Sequence, residues 1–263
     1  MGSTSNDEAD SSAIADAAIS SFEAEYGAGP GKPVAVLMAA FNEVESVAAV
    51  VAAIPPIVSG LETETIVIDD GSTDGTADVA REAGALICRL EHNQGQGRAF
   101  RAGYRLAISR GATYIATIDA DGQFDPSEIS RLVGPLVDGE ADFVNGSRRL
   151  GRAETNDAVR KAGVVFFGRL ITLLTGVRIT DPSNGLRAFR TEVVKQVPLR
   201  QAQYQTSELL IGAIARGFRV REAPVTVFAR QAGTTKKGRN LIYGLRFSRV
   251  VITTWWNQRR AHS

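Results

Sequence analysis

Cysteine is almost missing from this chain. Cys88 is the only one in 263 residues, which excludes an intrachain disulfide and any metal site built from a cysteine cluster. A reducing compartment fits that usage. Long apolar runs are missing too: the longest candidate, AGVVFFGRLITLLTG, is interrupted by Arg169 and falls short of the roughly 18 residues a spanning helix needs. The first residues lack a basic stretch followed by an apolar core, so no secretory signal is expected. No internal repeat is present. Basic residues are scarce at the start, where Asp7, Glu8, Asp10, Asp16, Glu23 and Glu25 face Lys32 alone, and acids are scarce at the end, where Glu222 is the only one from Arg216 onward. The basic tail points to an anionic surface or ligand near the C-terminus.

What is present reads as an α/β protein. Residues 1–32 read as a mobile leader with one weak helix over Ala13–Tyr26, and the main domain as 33–230. VAVLMAA suits a buried strand, and NEVESVAAVVAAI follows at helical spacing, with Asn42 as N-cap and Pro55-Pro56 as stop. The alternation continues through ETIVIDD, TADVAREAG, ALICRL, GRAFRAGYRLAISRG, TYIATID, PSEISRLVGPLVDG and ADFVNGS. Strands alternating with helices of this length predict right-handed βαβ units and a mostly parallel, Rossmann-like sheet. After Gly146 the rhythm changes to a long helix near Asp157–Thr175, GLRAFR, the helix TSELLIGAIARG and the strand FRVREAPVTVFAR. A basic tail, 231–263, holds an amphipathic, aromatic-ended helix over Gly238–Arg260.

Ligands of parallel α/β sheets bind beyond the carboxyl ends of the strands, and polar residues gather there: FNE, DDGSTDGT, HNQGQG and DADGQ. GQGRAFRAG lacks the third glycine of a dinucleotide-binding loop. Asp119 and Asp121 lie one residue apart. Mg²⁺ or Mn²⁺ shared between them and a diphosphate would remove their repulsion. The other reading is a helix-capping turn, with Asp125 as the cap before Pro126 and the two aspartates solvated. The neighbouring strand-end clusters favour the metal.

LMAAFNEVESV, IVIDDGSTDGT, NQGQGRAFRAGY, IDADGQFDP, NGSR and DPSNGLRAFR, in this order, resemble family-2 glycosyltransferases of the GT-A fold. The polyprenyl-phosphate (dolichol-phosphate-like) branch is the most similar, over about Pro33–Lys237; FARQAGTTK resembles its R-x-x-G-x-S-K element. The resemblance implies a metal-dependent, inverting transfer from a UDP- or GDP-linked sugar to a polyprenyl phosphate. Phe41, Asn42 and Glu43 would border the nucleotide, and Asp70 would accept a base N–H. Asp119 would lie near the sugar or ribose, Asp121 would bind the metal, and Gln123 would be a third ligand or hold a water. Arg148, Arg160, Arg230 and Lys236 would bind phosphates, while Asp181 would stand where a general base belongs or orient Arg187 or the acceptor. Asp181 also reads as a cap before Pro182, and Glu208 as a second acceptor-side acid or part of a helix start. Gln96 stands where the family's N-x-G-K-G carries lysine, and an amide cannot supply that charge.

The helix near 157–175 and the tail mix apolar, aromatic and basic residues, which suits a membrane interface as well as packing on the sheet or on a second subunit. The expectation is a cytoplasmic enzyme in peripheral contact with the inner face of the plasma membrane. No nucleic-acid partner is expected, and a homo-oligomer is compatible with the sequence. Alternatives are the same chemistry on a soluble or polysaccharide acceptor, a non-catalytic nucleotide-sugar-binding protein, and a sugar-1-phosphate nucleotidyltransferase, for which no triphosphate-cradling loop follows the first strand.

Overall fold

The computed structural model describes residues 3–154, 158–201, 205–229, 248 and 251–256, without the side chains of 3–7 and 158–160. Its centre is a sheet built of β1 (Val34–Ala40), β2 (Ile57–Val58), β3 (Leu61–Asp69), β4 (Leu86–Arg89), β5 (Tyr114–Thr117), β6 (Phe143–Ala153), β7 (Arg187–Arg190) and β8 (Val220–Val227). Across the sheet the order is β4, β3, β1, β5, β7, β6, β8, with β2 pairing antiparallel to β3. β1 pairs in parallel with β3 and β5, β3 with β4, and β6 with β8, whereas β7 runs antiparallel to both β5 and β6. The mostly parallel sheet is therefore present, with one inverted strand inserted at its centre. GLRAFR supplies that strand. Its four strand residues were too short a run to declare direction.

Alternate residues of β1 serve opposite faces, as strand geometry requires. Val34, Val36 and Met38 pack with α2 (Val47–Ala53), α3 (Thr76–Glu82) and α5 (Ile129–Val137). Ala35 and Leu37 pack with α1 (Ser3–Tyr26), α4 (Gln96–Ser109), α6 (Ala158–Thr175), α7 (Thr191–Gln196) and α8 (Gln205–Ala215). Two cores thus sandwich one sheet, and the strand ends are left to the loops.

Two local expectations change. Helix α2 begins four residues later than the sequence pattern suggests: Ser46 holds its N-cap position, and Asn42 instead adopts a left-handed φ of 52°. The 1–32 segment, expected as a mobile leader with one weak helix over Ala13–Tyr26, carries a longer helix, Ser3–Tyr26, docked on the domain. Phe22 of α1 is buried in the second core with Cys88, Leu90 and other residues, and the Arg110 guanidinium lies 5.4 Å from its ring centroid. Arg110 also forms a buried pair with Glu64 and donates to Gly27 O. The Tyr26 hydroxyl accepts from Ile87 N on β4 at 3.4 Å. At the other end, residues 251–256 are helical, while the rest of the expected Gly238–Arg260 helix lies outside the described residues, apart from Ser248.

Because a cavity would replace the Phe22 ring, Phe22→Ala is expected to lower the unfolding free energy by roughly 3–5 kcal/mol. An unchanged urea midpoint would show that α1 contributes nothing to the fold.

Candidate active site

The site grows from the carboxyl ends of β1, β3, β4 and β5. After β1, the loop at Phe41–Val44 is stitched to the turn after β3. Asn42 N donates to Ser72 Oγ at 2.9 Å, and Asn42 Oδ1 accepts from Thr73 N at 3.0 Å. Glu43 N donates to Thr76 Oγ1 at 2.9 Å and Val44 N to Asp74 Oδ2 at 3.2 Å. Asp74 also takes the Thr76 amide at 3.0 Å, as a turn-capping aspartate does. Gly71 has φ +75° and a Cβ there would meet His92 and Asn93 backbone within 2.9 Å, so the second turn packs directly on the third.

Asp70 is buried, and its two oxygens accept the amides of Gln94 at 2.6 Å and Gly95 at 2.9 Å. The carboxylate fastens the loop before α4. Burial raises its pKa to about 6; the two amide bonds oppose the rise and the Asp69 charge adds to it.

From that loop Gln96 reaches across: its Nε2 donates to Asp119 Oδ1 at 3.2 Å. The residue that departs from the family's lysine therefore contacts the first aspartate of DADGQ. On the other side Asp119 presses on Gly185, where a Cβ would lie 2.4 Å from Oδ2. Asp121 Oδ1 accepts Gln123 N at 3.2 Å. The Gln123 amide donates to Phe228 O at 3.1 Å while Phe228 N donates back to Gln123 O at 2.8 Å. Gln123 is thus a clasp between the aspartate turn and the end of β8; only its Oε1 has the chemistry of a metal ligand. Ser46 Oγ donates to Ala120 O at 2.8 Å, and Asp125 caps the following turn by accepting Ser127 N.

No group of three or more His, Cys, Asp or Glu side chains placed to hold a metal occurs among the described residues. Asp119, Asp121 and Gln123 Oε1 form a hard oxygen set that suits Mg²⁺ or Mn²⁺ when a substrate supplies the remaining oxygens.

Across the inverted strand lies a second cluster. Asp181 has no exposed surface, and its Oδ2 accepts Arg148 N at 3.1 Å, Arg148 Nε at 2.6 Å and Asn184 Nδ2 at 3.2 Å. The buried Asp181 carboxylate thus holds Arg148 in place through both its backbone amide and its Nε. Its expected partner Arg187 goes elsewhere. That guanidinium is fully buried and donates to the carbonyls of Asn184 and Thr206. Desolvation lowers its pKa to about 10, against the pull of Tyr104, Asp181 and Asp119. Glu208 lies in the first turn of α8, in keeping with the helix-start reading. It accepts the amides of Arg200 and Gln201, each at 2.9 Å, and so closes a loop, with burial raising its pKa.

Glu222 was missed. Its carboxylate accepts Thr180 N at 2.8 Å, Thr180 Oγ1 at 2.7 Å, Asp181 N at 3.1 Å and Asn145 Nδ2 at 3.2 Å, which fixes the backbone beneath the Asp181–Arg148 pair. Its signal was in the sequence as the lone acid of a basic tail. The Arg160 side chain, Arg230 and Lys236 lie outside the described residues.

Residues 35–197 match Glycosyl transferase family 2. The chain belongs to that family. It is a glycosyltransferase of the polyprenyl-phosphate type. The dolichyl-phosphate hexose transferase of Haloferax volcanii is 33% identical over 77% of this chain and 85% of its own. The polyprenol monophosphomannose synthase of Mycolicibacterium smegmatis is 30% identical over 81% and 87%. The fold is GT-A. Glucosyl-3-phosphoglycerate synthase from Mycobacterium tuberculosis, solved with phosphoglyceric acid, superposes with a TM-score of 0.65 over 91% of this chain and 82% of that one, at 23% identity.

Two outcomes follow for this glycosyltransferase. A raised carboxylate pKa means that the folded state holds a proton the unfolded state has released. The Asp70 contribution is therefore fully present below about pH 4 and lost as pH rises through about 6, by about 3 kcal/mol in all. A carboxyl ¹³C titration of the free protein should place Asp70 near 6; a midpoint near 4 would contradict its burial. Gly185 has an ordinary φ, so Gly185→Ala adds only the steric push on Asp119. Turnover should fall by roughly tenfold or more, as for a reacting group displaced by about 1 Å, with little change in Tm. Gly163, which has open space around it, is the control: Gly163→Ala should leave turnover as it was.

Proposed function

We propose that this glycosyltransferase moves a sugar, with inversion, from a nucleotide-diphosphate sugar to a polyprenyl phosphate. The observation that carries the acceptor half is the sealed Asp181–Arg148 pair. An alcohol acceptor needs a base in the position of Asp181. A phosphate monoester arrives already anionic at neutral pH, and needs a cation to meet it. Arg148 Nε is held by Asp181 at 2.6 Å and its side chain is 10% exposed, so the Nη groups carry the donors that remain, in the fork geometry suited to a phosphate. The relatives named for dolichyl-phosphate and polyprenol substrates support the same acceptor class.

The donor half rests on the oxygen set of Asp119, Asp121 and Gln123. Solved structures of the M. tuberculosis synthase contain Mn²⁺ with UDP, or Mg²⁺ with UDP, which supports a divalent cation here. When bound, such a cation offsets the charge that builds on the departing diphosphate. The chain's own residues do the positioning. Gln96 and the Gly185 backbone fix Asp119 from two sides, and Gln123 ties the aspartate turn to β8. The Asn42–Val44 loop and the turn after β3 form one hydrogen-bonded wall for the nucleotide. The acceptor phosphate oxygen then attacks the anomeric carbon from the face opposite the diphosphate, and no proton need be removed.

The test is a screen of UDP- and GDP-sugars for transfer to geranyl phosphate, with and without EDTA. Transfer that EDTA abolishes, and that geraniol cannot support, is expected. Equal transfer to geraniol would remove the anionic-acceptor reading; transfer surviving EDTA would remove the metal.

A further inference from the structure

Arg148 sits at a break in the sheet. Up to Ser147, β6 pairs residue for residue with β8, Gly146 with Ala223 and Ser147 with Pro224. From Ser147 to Arg152 the partner on β8 advances only from Pro224 to Thr226, so the β6 chain bulges in between. A bulge re-aims the side chains it carries and interrupts the ladder that would otherwise fix their backbone. The hydrogen bonds of neighbouring side chains take over that task.

Those bonds run in one direction. Thr180 Oγ1 lies 2.7 Å from Glu222 Oε2 and 2.6 Å from Ser147 Oγ. A hydroxyl has one proton to donate, and a carboxylate only accepts. The Thr180 proton therefore points to Glu222, and Ser147 donates to Thr180. With its own proton so directed, Ser147 Oγ accepts from the bulge: Arg149 N lies at 3.2 Å and Leu150 N at 3.3 Å. Ser147 has no exposed surface, which keeps water from competing for that proton. The relay thus starts at the two amides that follow Arg148, passes through two hydroxyls and ends on Glu222.

The second carboxylate oxygen holds the other flank. Glu222 Oε1 accepts Asp181 N at 3.1 Å, and Asp181 takes the amide and the Nε of Arg148. Both supports of Arg148 end on one side chain. All four groups that reach Glu222 are donors: Thr180 N, Thr180 Oγ1, Asp181 N and Asn145 Nδ2. A glutamine there would turn its own NH₂ toward two of those donors in either orientation. We propose that Glu222 is a positioning residue for the phosphate acceptor, which fixes the proton direction of Thr180 and Ser147 and with it the bulge that presents Arg148. The proposal rests on the acceptor reading above.

The experiment measures, by calorimetry on the full chain, the dissociation constants of geranyl phosphate and of UDP with Mn²⁺. Glu222→Gln should weaken geranyl phosphate by about tenfold or more, as for the loss of one hydrogen bond to a charged group, and leave UDP–Mn²⁺ as in the wild type. Thr180→Val removes the hydroxyl and keeps the backbone amide, so it should shift geranyl phosphate in the same direction, and it carries the test should Glu222→Gln fail to fold. Thr180→Ser, which keeps the hydroxyl, should recover the affinity that Thr180→Val loses. In an Arg148→Ala background Glu222→Gln should add nothing, because the side chain it positions is gone. Unchanged geranyl phosphate affinity in Glu222→Gln would overturn the proposal. So would an equal loss for UDP–Mn²⁺, which marks general loosening, or a full further loss in the Arg148→Ala background. If Arg148→Ala binds geranyl phosphate as the wild type does, the acceptor reading falls and the positioning role falls with it. If Arg148→Ala binds weakly and Glu222→Gln binds normally, only the positioning role falls.

Discussion

The Asp119 carboxylate occupies the space that a Cβ at Gly185 would need, so the layout of this site depends on a bare backbone there. Asp119 follows β5, and Gly185 precedes β7, which runs antiparallel beside it. Only an inverted strand starts its chain at the edge where the parallel strands finish. The loop before β7 therefore arrives beside DADGQ, and it brings Asp181, Asn184 and Arg187 with it. A Cβ at 185 would lie 2.4 Å from Asp119 Oδ2 and make that carboxylate shift, so the two clusters share one wall, and that wall is a glycine.

Buried charge is handled differently on the two sides of this wall. On the Arg148 side, among the described residues, Asp181 is matched with Arg148, and Glu222 with backbone amides, a hydroxyl and the Asn145 amide. Arg187 is stabilised by carbonyls and by the summed field of nearby acids rather than by a bonded carboxylate. On the other side neutral amides from Gln94, Gly95, Gln96 and Gln123 hold Asp70, Asp119 and Asp121 in place.

Much of this was legible in the sequence. Local apolar runs set β1, β3 to β6 and β8, and the motif order fixed the family. Asp125 as a cap was readable because such a contact spans only a few residues. What was not legible depends on distant partners. Asn42 looks like an N-cap until Ser72 and Thr73, about thirty residues on, claim it. Asp70 looks free until the loop before α4 folds back onto it. The burial of Asp181 needs Arg148, Asn184 and Glu222 from separate elements, and the direction of β7 is set by its neighbours rather than by its own four residues.

Helix α1 has a consequence beyond the core it fills. β4 borders the sheet, and an uncovered border strand offers its backbone groups to any passing chain. The Tyr26 hydroxyl takes the Ile87 amide, and the helix lies over that border. A version of the protein trimmed to Pro33 would keep the residues of the candidate site described above. It would also bare a strand rich in Leu, Ile and Cys88, and its fate in concentrated solution would be self-association rather than catalysis.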